Sequence, residues 1–175
     1  MENVNKLKQE TIFTSYDDPS KAWESLGMRK IVAEEYAEWL SSKQWDSFIT
    51  LTFRDEVNPL WAGHQFSHLL QELNKELFGT HYSRIVGHSY FSYILGASNQ
   101  KRGVLHYHLL TDRPVNFNLI KSKWFLWAGS ARTENIRYSS RTVNYVTKVI
   151  EEGGEISVYK AKKVYIPKYS PRWLQ

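Results

Sequence analysis

The sequence predicts an α+β fold in which a central antiparallel β-sheet is flanked by helices. Segments with apolar residues every three to four positions alternate with short stretches of period two, in the order helix, strand, helix, hairpin, helix, strand, helix. The 175 residues are 42% hydrophobic and 23% charged, which is typical of one globular domain. We therefore predict a single domain over 1–175, with a core at about 45–153, an N-terminal arm and helix at 1–44, and a basic, aromatic tail at 155–175.

The first half of the chain predicts two helices around one strand. A helical pattern runs from about residue 20 to residue 42, and Gly27 could divide it into two helices. Residues 48–53 (FITLTF) alternate apolar side chains with threonine, which is typical of a strand with one buried face. Residues 60–77 form a helical pattern that ends at Gly79. Its predicted buried positions are Phe66, Leu69, Leu70, Leu73 and Leu77.

The second half predicts a β-hairpin followed by mixed elements. Residues 84–95 are rich in aromatic and β-branched side chains, and the turn residues 98–103 connect them to a strand at 103–110. The further predicted elements are a helix at 117–127, a helix stop at 128–130, a strand at 131–138, a helix at 141–152 ended by Gly153 and Gly154, and a β-like run at 156–159.

The strand at 103–110 contains two histidines that share one face. His106 and His108 are two residues apart, so their imidazoles point the same way, whereas Leu105, Tyr107 and Leu109 point towards the opposite face and a core. Neutral imidazole is a common metal ligand. The spacing therefore favours half of a site for one divalent cation, although packing is the commoner role of such a pair.

Composition narrows the class of protein and of partner. The net charge is +5, and the chain has 7 Trp, 11 Tyr and 8 Phe, which favours nucleic acid over a membrane as partner. The absence of cysteine excludes disulfides, thiolate metal sites and a cysteine nucleophile. No signal-peptide core and no run of about 18 apolar residues is present, so we expect a soluble, cytoplasmic protein.

The helix predicted at 141–152 carries a second reactive pair. Tyr145 and Lys148 are three residues apart and share a helix face. A phenol has a pKa of about 10, and a neighbouring cation favours its phenolate form. A tyrosine nucleophile attacking a phosphate needs further positive charge on the phosphate oxygens, which a histidine-bound metal would supply.

The three stretches FITLTF, LHYHLL and YVTK together resemble the motifs of the HUH endonuclease superfamily. The order and spacing are most similar to those of the single-tyrosine rolling-circle replication initiators of phages, plasmids and single-stranded DNA viruses. The resemblance covers roughly residues 48–150 and implies a ferredoxin- or RRM-like sheet.

The resemblance also implies an activity and its residues. His106 and His108 would bind Mn²⁺ or Mg²⁺, and Tyr145 would attack single-stranded DNA or an origin hairpin. The products would be a 5′-phosphotyrosyl link and a free 3′-hydroxyl that primes replication, and Lys148 would position the phosphate or the phenolate. A host helicase and polymerase would be partners, in a prokaryotic cell or a virus-infected host. The oligomeric state is not predicted.

The third ligand that the family usually has, often a glutamate, is missing from the expected position. If residues 99–103 form the turn, Gly96 pairs with His106 and the acidic position falls near Ser98. No carboxylate lies between residues 84 and 101, and His88 is too far along the strand. The remaining candidates are Gln100 through its amide oxygen, Ser98 through a water, Asp55 and Glu56.

Basic side chains near the predicted motifs and in the tail are expected to contact DNA. Four other functions also remain open. The basic residues are Lys101, Arg102, Arg132, Arg137, Lys160, Lys162, Lys163, Lys168 and Arg172, interleaved in the tail with Tyr159, Tyr165, Tyr169 and Trp173. The same chemistry would serve a transposase or a relaxase. The alternatives without catalysis are a nucleic-acid-binding module on the same fold and a basic structural protein.

Overall fold

The computed structural model describes residues 19–99, 103–136, 144, 147–150 and 154–163. Its elements are α1 (Pro19–Ser41), β1 (Ser47–Phe53), α2 (Pro59–Phe78), a 3-10 turn (Tyr82–Arg84), β2 (Tyr93–Asn99), β3 (Leu105–Thr111), α3 (Phe117–Trp127), β4 (Gly129–Asn135) and β5 (Glu155–Tyr159). Residues 144 and 147–150 are also helical, and we call 147–150 the helical segment.

The predicted α+β class is confirmed. The five strands form one sheet in the order β4-β1-β3-β2-β5, and every neighbouring pair is antiparallel. Between β1 and β4 the chain runs β-α-β-β-α-β, which is the connectivity of ferredoxin-like domains. This topology places β1 and β3, the threonine strand and the histidine strand, side by side at the centre of the sheet.

One face of the sheet packs against α2 and α3 and contains the larger core. α2 begins at Pro59 behind the cap of Asn58, whose side chain accepts a hydrogen bond from the Leu60 amide, and it ends at Gly79 with φ 71°. The predicted apolar stripe of α2 is buried except for Leu77, which is partly buried. From α3, Trp124 is fully buried and donates its indole N–H to the Thr52 carbonyl. Tyr107 and Leu109 also lie in this core, as predicted.

The opposite face, which carries both histidines, is covered at one end by a smaller core. Leu40 of α1 packs there against Phe48, Ile94 and Leu110, near the start of β1. We call this surface the histidine face. α1 is one helix through Gly27, so the predicted break does not occur. A single glycine costs a helix only about 1 kcal/mol, which is too little to interrupt 23 residues.

Residues 84–92 are not part of the hairpin, contrary to the prediction. β2 begins at Tyr93. The segment before it is a loop whose backbone forms hydrogen bonds with a side chain of α2 rather than with a neighbouring strand. The fully buried Asn74 of α2 donates to the His88 carbonyl at 2.9 Å and accepts from the Tyr90 amide at 3.1 Å. These bonds satisfy polar groups that a strand would have paired in a ladder.

The remaining boundaries differ by a few residues. β4 starts at Gly129 rather than residue 131, because Gly129 already pairs with Phe53, and it ends at Asn135 rather than 138. The N-terminal arm before residue 19, the turn residues 100–102 and the tail from residue 164 lie outside the described residues. Within the described part of the chain, no helix is both long and apolar enough to span a bilayer.

Candidate metal and catalytic site

The central strand β3 holds both histidines in the sheet with little access to solvent. His106 is 6% exposed and His108 is 3% exposed. Their ring centroids are 6.3 Å apart and the ring planes differ by 16°. Two imidazoles whose nitrogens lie about 2.1 Å from one ion have centroids at most about 6.5 Å apart. That limit requires the two rings to face each other across the ion, whereas neighbouring ligands at about 90–110° bring the centroids to about 4.6–5.3 Å. The two side chains therefore have to approach each other to share one ion.

The hairpin register differs by two residues from the predicted one. Asn99 pairs with Leu105, so Gly96 lies opposite His108 rather than His106. Ser98 instead lies opposite His106. A shift of two residues preserves the face of every side chain. Gly96 and Ser98 consequently remain on the histidine face, as predicted.

Two threonines of β1 lie directly opposite the histidines. Thr52 pairs with His106 and Thr50 with His108, which places all four side chains on the same face. The Thr52 hydroxyl is 3.0 Å from Nδ1 of His106, and the Thr50 hydroxyl is 3.4 Å from Nδ1 of His108. These contacts were not predicted. Their signal in the sequence is that the threonines have the same two-residue spacing as the histidines.

The surroundings favour neutral imidazoles. Burial lowers the pKa of His106, and burial together with the neighbouring His106 ring lowers the pKa of His108 to about 4. Phe48 stacks on His108 with centroids 6.0 Å apart and adds to its apolar environment. Metal binding requires the neutral ring, so both histidines are in the protonation state that a metal ligand needs at neutral pH.

One nitrogen of the pair has no hydrogen-bond partner in the described part of the chain. Nε2 of His106 is buried, and no hydrogen bond to it is found among the described residues. A buried polar atom without a partner is uncommon and calls for a ligand or a functional explanation. The donor set at this point, two neutral imidazoles with Nδ1 already engaged, therefore fits a divalent metal ion.

The third ligand is not located in the described part of the chain. No three histidine, aspartate or glutamate side chains lie there in an arrangement that could hold a metal ion. The Ser98 hydroxyl is 3.5 Å from Nε2 of His108, which keeps the predicted role of Ser98 through a water geometrically open. Asp55 and Glu56 are exposed and follow the end of β1 near Thr52, while Gln100 lies outside the described residues.

The helical segment lies over the sheet beside the histidines. A Cβ on Gly96 would meet the Val149 side chain at 3.4–3.6 Å, so the absence of a side chain at Gly96 allows this approach. Val149 is 3% exposed, and its carbonyl accepts a 2.7 Å hydrogen bond from the Gly154 amide, in keeping with the predicted glycine stop. Lys148 is exposed next to it. Tyr145 lies outside the described residues.

The described basic residues lie mostly on the surface. Arg132 of β4 pairs with Thr50, so it belongs to the histidine face, and it is bonded to Glu134 at 3.3 Å. Lys160, Lys162 and Lys163 are exposed after β5. The other predicted basic residues, Lys101, Arg102, Arg137, Lys168 and Arg172, lie outside the described residues, as do Tyr165, Tyr169 and Trp173.

Three other histidines lie away from the histidine face. His64 and His68 are exposed on α2, and the His68 ring stacks on Trp127 with centroids 4.2 Å apart. His88 contacts the hydroxyl of Tyr93 at 2.9 Å, on the core side of the sheet, and therefore does not belong to the histidine pair.

The chain matches one protein family. A family model of the replication-associated proteins of the ORF2 type matches residues 46–153, which is more than half of the 175 residues. The matched range begins beside β1 and includes His106, His108, Tyr145 and Lys148. No curated protein and no solved structure gives a significant match.

Proposed function

Because the chain belongs to the ORF2-type family of replication-associated proteins, we propose that it initiates DNA replication by nicking and rejoining a single DNA strand. The observation that carries this proposal is the pair of buried histidines on β3, which burial keeps neutral and whose His106 Nε2 has no hydrogen-bond partner among the described residues. It is supported by the helical segment, whose Val149 lies over Gly96 on the same face of the sheet and which includes Lys148.

In the proposed reaction Tyr145 is the nucleophile. Its phenol loses a proton, and the phenolate oxygen attacks the phosphorus of the scissile phosphate in single-stranded DNA. The bond from phosphorus to the 3′ oxygen breaks, which leaves the 5′-phosphate on Tyr145 and a free 3′-hydroxyl for a polymerase. Attack by a 3′-hydroxyl on the phosphotyrosine reverses the reaction and rejoins the strand.

The other residues stabilise the negative charge that develops. His106 and His108 would hold Mn²⁺ or Mg²⁺, which when bound polarises the scissile phosphate. Lys148, exposed beside the buried Val149, would contact the phosphate or favour the phenolate of Tyr145. Thr147 and Val149 are buried and anchor the helical segment, so its exposed positions are held near the histidines.

Incubation with single-stranded origin DNA and Mn²⁺, followed by a denaturing gel, tests the proposal. We expect a covalent protein–DNA adduct that disappears in Tyr145→Phe and persists in Tyr138→Phe. Tyr138 is a matched control because it precedes the predicted helix and is not assigned a role. An adduct that persists in Tyr145→Phe would exclude Tyr145 as the nucleophile.

A DNA-binding module without nicking activity is the second candidate. The observation that favours it is the lack of an acidic third ligand among the described residues. It predicts tight binding to origin oligonucleotides and no adduct at any concentration of Mn²⁺. The same gel therefore separates the two candidates.

A further inference from the structure

We propose that Thr52 is a positioning residue that fixes the tautomer of His106, so that this ring presents its Nε2 lone pair to a divalent cation. This inference rests on the proposed function and assigns a role to a hydroxyl of β1. Its basis is the cross-strand pairing of Thr52 with His106.

The geometry selects one nitrogen of His106, whereas both nitrogens of His108 face a hydroxyl, with Ser98 at 3.5 Å from Nε2. In both pairs the threonine hydroxyl lies near Nδ1, at 3.0 Å for His106 and at 3.4 Å for His108. A neutral imidazole carries its proton on one nitrogen only, and the hydrogen bond at the other nitrogen decides which. Thr52 therefore controls the nitrogen of His106 that the cation does not use.

Burial decides the direction of the hydrogen bond at His106. If the proton were on Nε2, a buried N–H would have no acceptor among the described residues, and buried N–H groups without acceptors are rare. With the proton on Nδ1, the ring donates to the Thr52 hydroxyl and Nε2 keeps a free lone pair. The second arrangement satisfies the donor, so it is the stable tautomer.

Metal-binding histidines usually donate their second N–H to a carboxylate, a carbonyl or water, which orients the ring. On the described histidine face, Thr52 occupies that place for His106 at normal hydrogen-bond length. Thr50 makes the longer contact, so its contribution is the smaller one. Both threonines stand on a paired central strand, so the sheet fixes where their hydroxyls meet the histidine strand.

Two measurements on the full chain test the inference. Nitrogen-15 NMR of the metal-free protein reports which imidazole nitrogen carries the proton, and calorimetry measures the affinity for Mn²⁺. We expect His106 to be protonated at Nδ1 in the wild type and in Thr52→Ser. In Thr52→Val, which is close to threonine in shape, Nδ1 has no acceptor. We expect a share of Nε2–H tautomer there and a roughly 10- to 100-fold weaker affinity.

The matched control is Thr133→Val. Thr133 lies on the neighbouring strand β4, and its hydroxyl donates to the Phe48 carbonyl at 3.3 Å rather than to a histidine. We expect this variant to keep both the tautomer and the affinity of the wild type. A wild-type His106 protonated at Nε2, or a Thr52→Val variant with an unchanged tautomer, would overturn the inference.

The two proposals can fail separately. A wild type that does not bind Mn²⁺ would refute the metal-dependent function, while a tautomer change in Thr52→Val would still support the role of Thr52. Conversely, the wild type could bind Mn²⁺ and nick DNA while the His106 tautomer is the same in Thr52→Val. That result would leave the proposed function intact and remove the role of Thr52.

Discussion

His108 is the histidine whose pKa the surrounding residues lower to about 4. It is almost fully buried, Phe48 stacks on it, and the His106 ring lies beside it. Burial and the second ring both disfavour a positive charge, which lowers its pKa to about 4. A ring that stays neutral to such an acidic pH remains available to a metal ion over the whole physiological range.

The pKa of His108 predicts how stability depends on pH in the metal-free protein. In the unfolded chain the ring takes up a proton at a pKa of about 6.5, whereas in the folded chain it does so only at about 4. Between these values the unfolded state binds more protons, so the free energy of unfolding falls as the pH is lowered from about 6.5 to about 4, by up to about 3 kcal/mol.

Urea unfolding at a series of pH values measures this effect. We expect His108→Gln to remove most of the loss between about pH 6.5 and pH 4. His64→Gln serves as the control, because His64 is exposed on α2, and it should follow the wild-type curve. If His108→Gln and the wild type lose stability in parallel, His108 is not the group responsible.

Among the elements, β1 and the helical segment show what sequence patterns could and could not predict. The alternation of residues 48–53 predicted a strand correctly, since the alternation depends on local burial alone. The contacts from Thr50 and Thr52 to the histidines were missed, because they join residues 58 and 54 positions apart. Such contacts depend on which strands become neighbours, which the alternation within one strand does not determine.

The hairpin shows the same limit at shorter range. The face of Gly96 and Ser98 followed from the period of two, but their partners depended on where the turn begins. The strand continues to Asn99, and a positive φ of 77° at Gly103 accommodates the turn. Turn geometry sets the register of a hairpin, and the innermost pair, Asn99 with Leu105, lies one residue later on both strands than predicted, which moved the pairing by two residues.

Gly96 offers a test of how the helical segment is held. A valine there would place additional methyl groups against Val149, whose side chain already lies 3.4–3.6 Å from the position that a Cβ would take. We expect Gly96→Val to push the segment away from the sheet and to slow nicking at least about tenfold, since small misplacements of reacting groups cost rates of that order. Nicking rates and Mn²⁺ affinity should be measured together.

Gly96→Ala is the matched control for that variant. Its Cβ would make only ordinary contacts with Val149, so we expect nicking close to that of the wild type. Mn²⁺ affinity should stay unchanged in both variants, because neither removes an imidazole. Wild-type nicking in Gly96→Val would show that the contact with Val149 does not position the nucleophile.

At the scale of the whole molecule, the two faces of the sheet have different roles. One face is occupied by α2 and α3 and supplies most of the buried apolar side chains. The histidine face combines a small core near the start of β1 with polar side chains further along, including Arg132 on the edge strand β4. The positively charged Arg132 is therefore aligned across the strands with Thr50 and His108.

Salt dependence of DNA binding tests whether DNA follows this face. If Arg132 contacts a phosphate, Arg132→Gln should reduce the slope of log Kd against log salt concentration by about 1. Lys121→Gln is the control, because Lys121 is exposed on α3 in the helical layer of the other face. Equal changes in the two variants would mean that DNA does not distinguish the faces.

The most direct test of the central claim identifies the residue that becomes linked to DNA. Trypsin cuts after Arg141 and Lys148, so Tyr145 is the only tyrosine in the peptide 142–148 (TVNYVTK), whereas Tyr138 falls in the separate peptide 138–141. After reaction with single-stranded origin DNA, nuclease and trypsin digestion, mass spectrometry should find the 5′-phosphonucleotide on TVNYVTK. A nucleotide attached to any other peptide would contradict the account.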